Sequence, residues 1–387
     1  MRFPLVPLSA MSFAAFVYVT FEMFAVGLIL PMAADLGVTE GRIGLLMTVY
    51  AGVVAVVTIP LTHVTRRFDR TPLFMSTLVF LLIGVVAQAT AVNYAMLVLA
   101  RVAAALTHGL FWSLVNPMAA RLAGPGQTGR AVATVSLGST MALIVGSPLA
   151  TFFGAMIGWR QTTWILGALV VAAFVVLQVS LPHMAAVPAD GAGRAEGQRS
   201  ALPSLVVFLT LAVTALFTTY TYLGLIVERT AGPAWVAAGL SLYGVVGIVG
   251  VLWAGRRVDR RMIRLNVAPT ALMVVAAGIG LLALSFEGAS ASGLTVAFTV
   301  AFIVVFGVGA GALPTVATTV FLFAGGANQD RASALYVVTF QVGIAAGSAL
   351  GAVAVDGGVL AGTLLSTAVL AAAAGAVLAL WSRPILR

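Results

Sequence analysis

The chain has 387 residues, of which 61% are hydrophobic and 8% charged, with a mean hydropathy of +1.12. A soluble protein carries about a quarter charged residues, so this composition excludes a water-soluble domain and identifies a polytopic membrane protein. Cysteine is absent, which excludes disulfides and thiolate metal sites, and the net charge of +9 informs through its placement rather than its sum.

From the N-terminus, Arg2 precedes an apolar run over 8–34. The run is too long for a signal-peptide core and lacks a cleavage site, so it reads as a first transmembrane helix. Further stretches of spanning length, about 20 residues each, fall at 43–64, 73–92, 94–122, 131–156 and 161–182. A second set falls at 202–227, 235–255, 265–286, 293–321, 332–355 and 359–381. Between the sets, 183–203 is rich in Pro, Gly and charge and reads as a flexible linker. The expected fold class is all-α: twelve transmembrane helices in two pseudo-symmetric six-helix bundles, 1–182 and 204–387.

All twenty basic residues are arginine. Placing the N-terminus inside puts sixteen of them in cytoplasmic segments and three outside (Arg42, Arg160 and Arg229), with Arg101 inside a span. That bias predicts cytoplasmic N- and C-termini. The arginine-only basic set, with abundant Ala, Gly and Val, fits a GC-rich bacterial genome, and hence a bacterial cytoplasmic membrane. Arg66-Arg67-Phe68-Asp69-Arg70 follows the second span, and Arg256-Arg257-Val258-Asp259-Arg260 follows the eighth, 190 residues later. Each cluster alone also reads as a positive-inside anchor. The matched spacing favours a duplicated transporter with its substrate site between the halves, near the midplane.

One carboxylate interrupts an apolar segment centrally. Glu22 lies near the middle of the first span, where a charge costs about 2.5–3.5 kcal/mol on insertion scales and persists only if used. Burial favours the neutral form of a carboxylate, which suits a group that takes up and releases protons. A structural intramembrane glutamate is the competing reading.

Several stretches carry a family resemblance: Thr20–Leu28 (TFEMFAVGL), Arg101–Ser113 (RVAAALTHGLFWS), Gly146–Pro148 with Gly158-Trp159-Arg160, and Ala332–Gly351 (ASALYVVTFQVGIAAGSALG). Over essentially the whole chain the sequence resembles the major facilitator superfamily, in particular its drug-proton antiporter branch with sugar-efflux and chloramphenicol-resistance-like members. Thr65 and Phe68 stand where that family's first cytoplasmic motif has aspartate and glycine, and Ser147 separates the fifth-span Gly-Pro pair.

The resemblance implies that Arg101 takes part in proton coupling by sensing the charge on a carboxylate such as Glu22. A fixed ion pair or an outward-snorkelling side chain is the alternative. His108, seven residues on, lies on nearly the same helical face. It reads either as a proton relay or as hydrogen-bonded packing. The resemblance also implies conformational roles for Arg66, Asp69, Arg70, Gly146, Pro148, Arg256, Asp259 and Arg260. Gly138, Ala142, Gly146, Ala150 and Gly154 in the fifth span, and Gly343, Gly347 and Gly351 in the eleventh, form stripes that let helices approach closely.

Polar and aromatic residues inside spans are cavity candidates: Tyr50, Trp112, Asn116, Tyr220, Tyr222, Tyr243, Phe340 and Gln341. Each alone is as readily packing. The outer acidic residues Asp35, Glu40, Glu228, Glu287 and Asp356 read as solvated. No phosphate loop, metal-ligand cluster or nucleophile-base pair occurs, which argues against catalysis and ATP-driven transport. The expectation is a proton-coupled efflux antiporter for small, mainly apolar molecules such as antibiotics. It would work without cofactor or metal, with protons as coupling ion, as a monomer in the lipid bilayer and without nucleic acid. A sugar or metabolite exporter of the same fold is the alternative, and a non-transporting receptor or scaffold the remote one.

Overall fold

In the computed structural model the described residues are 4–123, 127–186, 202–255, 262–286, 293–325 and 329–381. They are helical almost throughout, and no strand occurs among them. In chain order the helices are α1 (Leu5–Glu22), α2 (Ile29–Leu36), α3 (Glu40–Thr65), α4 (Arg70–Ala89), α5 (Tyr94–Ala105), α6 (His108–Ala123), α7 (Thr128–Met141) and α8 (Ser147–Ile157). They continue with α9 (Trp159–Ser180), α10 (Leu202–Tyr220), α11 (Leu223–Ala231), α12 (Val236–Gly255), α13 (Met262–Ser285), α14 (Gly293–Gly325), α15 (Gln329–Asp356) and α16 (Ala361–Trp381). Twelve segments among the described residues are long and apolar enough to cross a membrane, so the chain is a multi-pass membrane protein. Apolar side chains such as Leu99, Val179 and Val353 point outward, two-thirds or more exposed, as lipid-facing residues do.

Three expected spans are not continuous rods. The run 8–34 divides into α1 and α2 around a turn over 23–28, so Glu22 is the last residue of α1 rather than the middle of a helix. The fourth span breaks at 106–107, which makes His108 the first residue of α6. The seventh breaks at 221–222, between α10 and α11. Each break leaves helix-end carbonyls and N–H groups that need other partners, because no water serves them in hydrocarbon. In the fifth span a π-helical turn over Ala142–Gly146 precedes Pro148. Proline lacks an N–H and clashes with the carbonyl four residues back, which accounts for the widened turn.

The chain divides into two compact units: residues 1–24 with 49–192, and residues 25–48 with 193–387. In the first, α1 packs on the fifth span through glycines. A Cβ on Gly138 would meet the Ser12 carbonyl, and one on Gly146 would meet Thr20 Oγ1 and the Phe16 ring. In the second, α10 packs on α15 in the same way, with Gly343 against Val213, Gly347 against Thr214 and Thr218, and Gly351 against Tyr222. Arg160 Nε and Nη2 donate to Ala91 O (3.2 and 2.7 Å), placing a cation at the C-terminal end of α4. The preceding Gly158 has φ +92°, a conformation glycine adopts without strain.

Two expectations about loops change. The first residues of the expected linker are docked: Thr71 Oγ1 donates to Pro182 O (2.8 Å), Arg70 N to Met184 O (2.7 Å), and Ala186 N to Asp69 Oδ1 (3.1 Å). The unpaired N–H groups at the start of α4 account for part of this attraction. Of the outer acids, Asp356 Oδ1 accepts from Gly41 N (3.0 Å) and Glu40 stands 3.9 Å from Arg229, so these two are structural partners as well as solvated groups. Glu287 lies outside the described residues.

Candidate functional site in the first unit

Glu22 is 5% exposed at the C-terminal end of α1. The chain leaves the helix there, so the carbonyls of the last turn lose their intrahelical donors. Arg101, fully buried on α5, takes over two of them: Nη1 donates to Phe21 O (2.7 Å) and Glu22 O (3.3 Å). A cation at a helix C-terminus is stabilising by about 0.3–1 kcal/mol at the surface and up to about 2 kcal/mol when partly buried. The guanidinium also lies over the Phe21 ring, 4.7 Å from its centroid. Its Nε and Nη2 are buried with no hydrogen-bond partner. Arg101 therefore holds the backbone on which Glu22 sits and keeps two further donors unspent.

His108 closes the other side of the cluster. Its Nε2 is 3.9 Å from Glu22 Oε2. Trp112 Nε1 donates to the same Nε2 (3.0 Å), and Nδ1 is 2.8 Å from the Tyr50 hydroxyl. An indole N–H is a donor only, so Nε2 must present its lone pair. The proton of the neutral ring is thereby assigned to Nδ1, which donates to Tyr50. Tyr18, one helical turn before Glu22, stacks on Phe111 (4.2 Å) and stands edge-on to His108 (5.6 Å), and its hydroxyl donates to Thr77 O (2.6 Å). The structure thus brings together Glu22, Tyr50, Arg101, His108 and Trp112 from four helices.

Sequence reading passed over Tyr18, and the signal was there: position i−4 from a buried carboxylate shares its helix face. Asn116 lies one turn beyond Trp112, with a buried Oδ1 that has no partner. Gly146 is fitted against Thr20 and Phe16 of α1, and Pro148 is buried two residues on, in the first turn of α8. Between α3 and α4, Arg70 Nη2 donates to Arg66 O (3.4 Å) and Asp69 Oδ2 is 3.3 Å from His183 Nε2. Arg256, Asp259 and Arg260 lie outside the described residues.

The second unit has a different character. Tyr220 packs against Tyr243 (4.9 Å) and Phe217 (5.5 Å), and Phe340 against Phe217 (6.2 Å) and Tyr336 (5.7 Å). Gln341 is 8% exposed with an unpartnered Oε1. Tyr222 is apart from this aromatic group in its bonding: it is fully buried, and its hydroxyl donates to Ser348 O (3.2 Å). Two pairs of buried hydroxyls here bond to one another, Thr219 to Thr367 (2.7 Å) and Thr221 to Ser348 (2.8 Å).

Comparison with known proteins agrees with this layout. The chain is 35% identical over 360 residues to a chloramphenicol efflux pump of Mycobacterium tuberculosis, covering 89% of this chain and 84% of that one. Among solved structures, it matches a bacterial homologue of the human lysosomal transporter Spinster with a TM-score of 0.79 at 14% identity, over 99% of this chain and 97% of the other. It matches a POT family transporter in complex with 5-aminolevulinic acid with a TM-score of 0.77 at 11% identity, over 98% and 96%. Similarity at that identity speaks to fold alone. The model of the Major Facilitator Superfamily matches residues 11–348, and the chain belongs to that family of membrane transporters.

Proposed function

We propose that this transporter is a proton-coupled antiporter that exports small, mainly apolar antibiotics of the chloramphenicol kind across a bacterial cytoplasmic membrane. The observation that carries the reading is the placement of Glu22: a buried carboxylate at a helix break, 3.9 Å from His108 and on the backbone gripped by Arg101. A carboxylate in such a place is expensive and is expected to have a use. Protons are the coupling ion, no cofactor takes part, and the monomer is the working unit with both termini cytoplasmic.

Substrate binds while Glu22 is ionised. A proton arriving from outside neutralises Glu22, which weakens the electrostatic attraction between Glu22 and Arg101 and favours return of the empty carrier. The substrate class follows from what each half offers: aromatic faces (Trp112; Tyr220, Tyr243 and Phe340) and, near them in sequence, orphaned amide oxygens (Asn116; Gln341). Those suit a neutral aromatic molecule with hydroxyl or amide donors, as chloramphenicol is, and identity to an efflux pump named for that drug points the same way.

Reconstitution into proteoliposomes with an imposed proton gradient tests the reading. Glu22→Gln should fold and exchange labelled chloramphenicol in counterflow, while gradient-driven accumulation falls to background. Accumulation at the native level in Glu22→Gln would rule the mechanism out. A panel that binds sugars but no aromatic antibiotic would instead assign the same fold to sugar export.

A further inference from the structure

We infer that the Trp112 indole governs whether His108 can accept a proton; the inference rests on the proton-coupled reading above. His108 Nε2 has one lone pair, and the Trp112 N–H occupies it at 3.0 Å. Nδ1 already carries a proton directed to Tyr50 at 2.8 Å. A second proton can enter only at Nε2, and it would then face the indole N–H donor to donor. Protonation of His108 and the Trp112 hydrogen bond therefore exclude each other.

Once the indole has left, an Nε2–H has the Glu22 carboxylate within reach as an acceptor, with Oε2 already 3.9 Å away. The proton balance is simple: one proton from solution binds Nε2, the Nδ1 proton stays on the ring and hydrogen-bonded to the Tyr50 oxygen, and an imidazolium–carboxylate pair results. The groups facing His108 are Glu22 and Tyr18 from α1, Tyr50 from α3 and Trp112 from its own helix, with Arg101 of α5 holding the end of α1. Glu22 is the acidic member of this set.

The indole also has somewhere to go. Asn116 is four residues on, so it shares the helix face of Trp112, and its side chain leans back toward it. Its Oδ1 is buried without a partner, a condition that a single N–H relieves. Trp112 itself is only part-buried, whereas Tyr18, Tyr50 and His108 are each 2% exposed or less. Trp112 is then the positioning residue that sets whether His108 takes up a proton.

The test uses the full-length protein. The chain has three histidines, so His63→Gln with His183→Gln leaves His108 as the single imidazole for 15N-histidine spectra. Without ligand the spectra should show one Nδ1–H species that stays neutral between about pH 5 and 8. Trp112→Phe should let Nε2 titrate within that range. In gradient-free counterflow, Trp112→Phe should move the midpoint of the pH profile upward by about one pH unit, near tenfold in proton affinity. Adding His108→Gln should remove that shift. An Nε2–H tautomer in the unliganded protein overturns the inference, as does a Trp112→Phe profile that superimposes on the native one or a shift that survives His108→Gln. Spectra and counterflow need no proton gradient, so these outcomes are independent of the Glu22→Gln result.

Discussion

The two units solve one packing problem alike and one polar problem differently. In each, a first helix ends early at a break and lies along a glycine-bearing partner: α1 against the fifth span, α10 against α15. At the first break stand Glu22, Arg101 and His108; at the second stand Thr221 and Tyr222, whose hydroxyls bond Ser348. Hydroxyls satisfy helix-break groups without bringing charge into hydrocarbon, so a break by itself needs no carboxylate. Arg101 caps the first break through two carbonyls, whereas the buried Glu22 carboxylate is not required by the break, and on that difference rests our proposal that the first unit carries the coupling.

The comparison can be broken most forcefully at Arg101. Arg101→Ala removes the donor for two α1 carbonyls and the neighbour of Glu22; substrate-induced proton release, followed with a pH dye, should vanish. Release at the native stoichiometry would mean that Arg101 is only a helix cap. Close packing, by contrast, should behave alike in both units. Gly146→Val meets Thr20 and Phe16, Gly347→Val meets Thr214 and Thr218, and each should cost about 1–3 kcal/mol and reduce transport strongly. Thermal melts that differ widely between the two would show that the seams are not equivalent.

Milder still is Tyr222→Phe, which deletes one buried hydroxyl bond and should cost about 0.5–1.5 kcal/mol with no change in the pH profile of transport. A displaced profile would bring the second unit into the proton pathway. The smallest effect is expected at Glu228, outside the spans. Burial, with the nearby Glu40, raises its carboxyl above the usual value near 4.5, while Arg229 lowers it. The folded protein therefore holds that proton more tightly than the unfolded chain. Its stabilising contribution is full below the ordinary carboxylate value and is lost as pH rises through the raised one. Glu228→Gln should flatten this slight decline in melting temperature above about pH 4.5; an unchanged slope would place its cause elsewhere.

Much of the fold was legible because a bilayer restricts what a segment can be. Runs of about 20 apolar residues become helices, and twelve were readable from hydropathy alone. The breaks were not. The stretch 8–34 is apolar on both sides of Glu22, and nothing in its composition says that α1 stops there. The site was legible in part: Glu22, Arg101 and His108 stand out as polar residues in apolar surroundings. Their bonding did not, since Arg101 grips carbonyls, which every residue has. Tyr18 was hidden because a tyrosine in a span is unremarkable until its neighbours are known.

Sequence by itself determined the class of molecule, the count of spans and the presence of a carboxylate too costly to be idle, all of which follow from transfer energies summed along the chain. Tertiary structure decided what those charges do. Only packing brings α1, α3, α5 and α6 together, ends α1 on Arg101, and sets a donor-only indole on the one free nitrogen of His108. Hydrogen bonding is directional and acts over about 3 Å, so its outcome depends on contacts that no spacing along a chain prescribes.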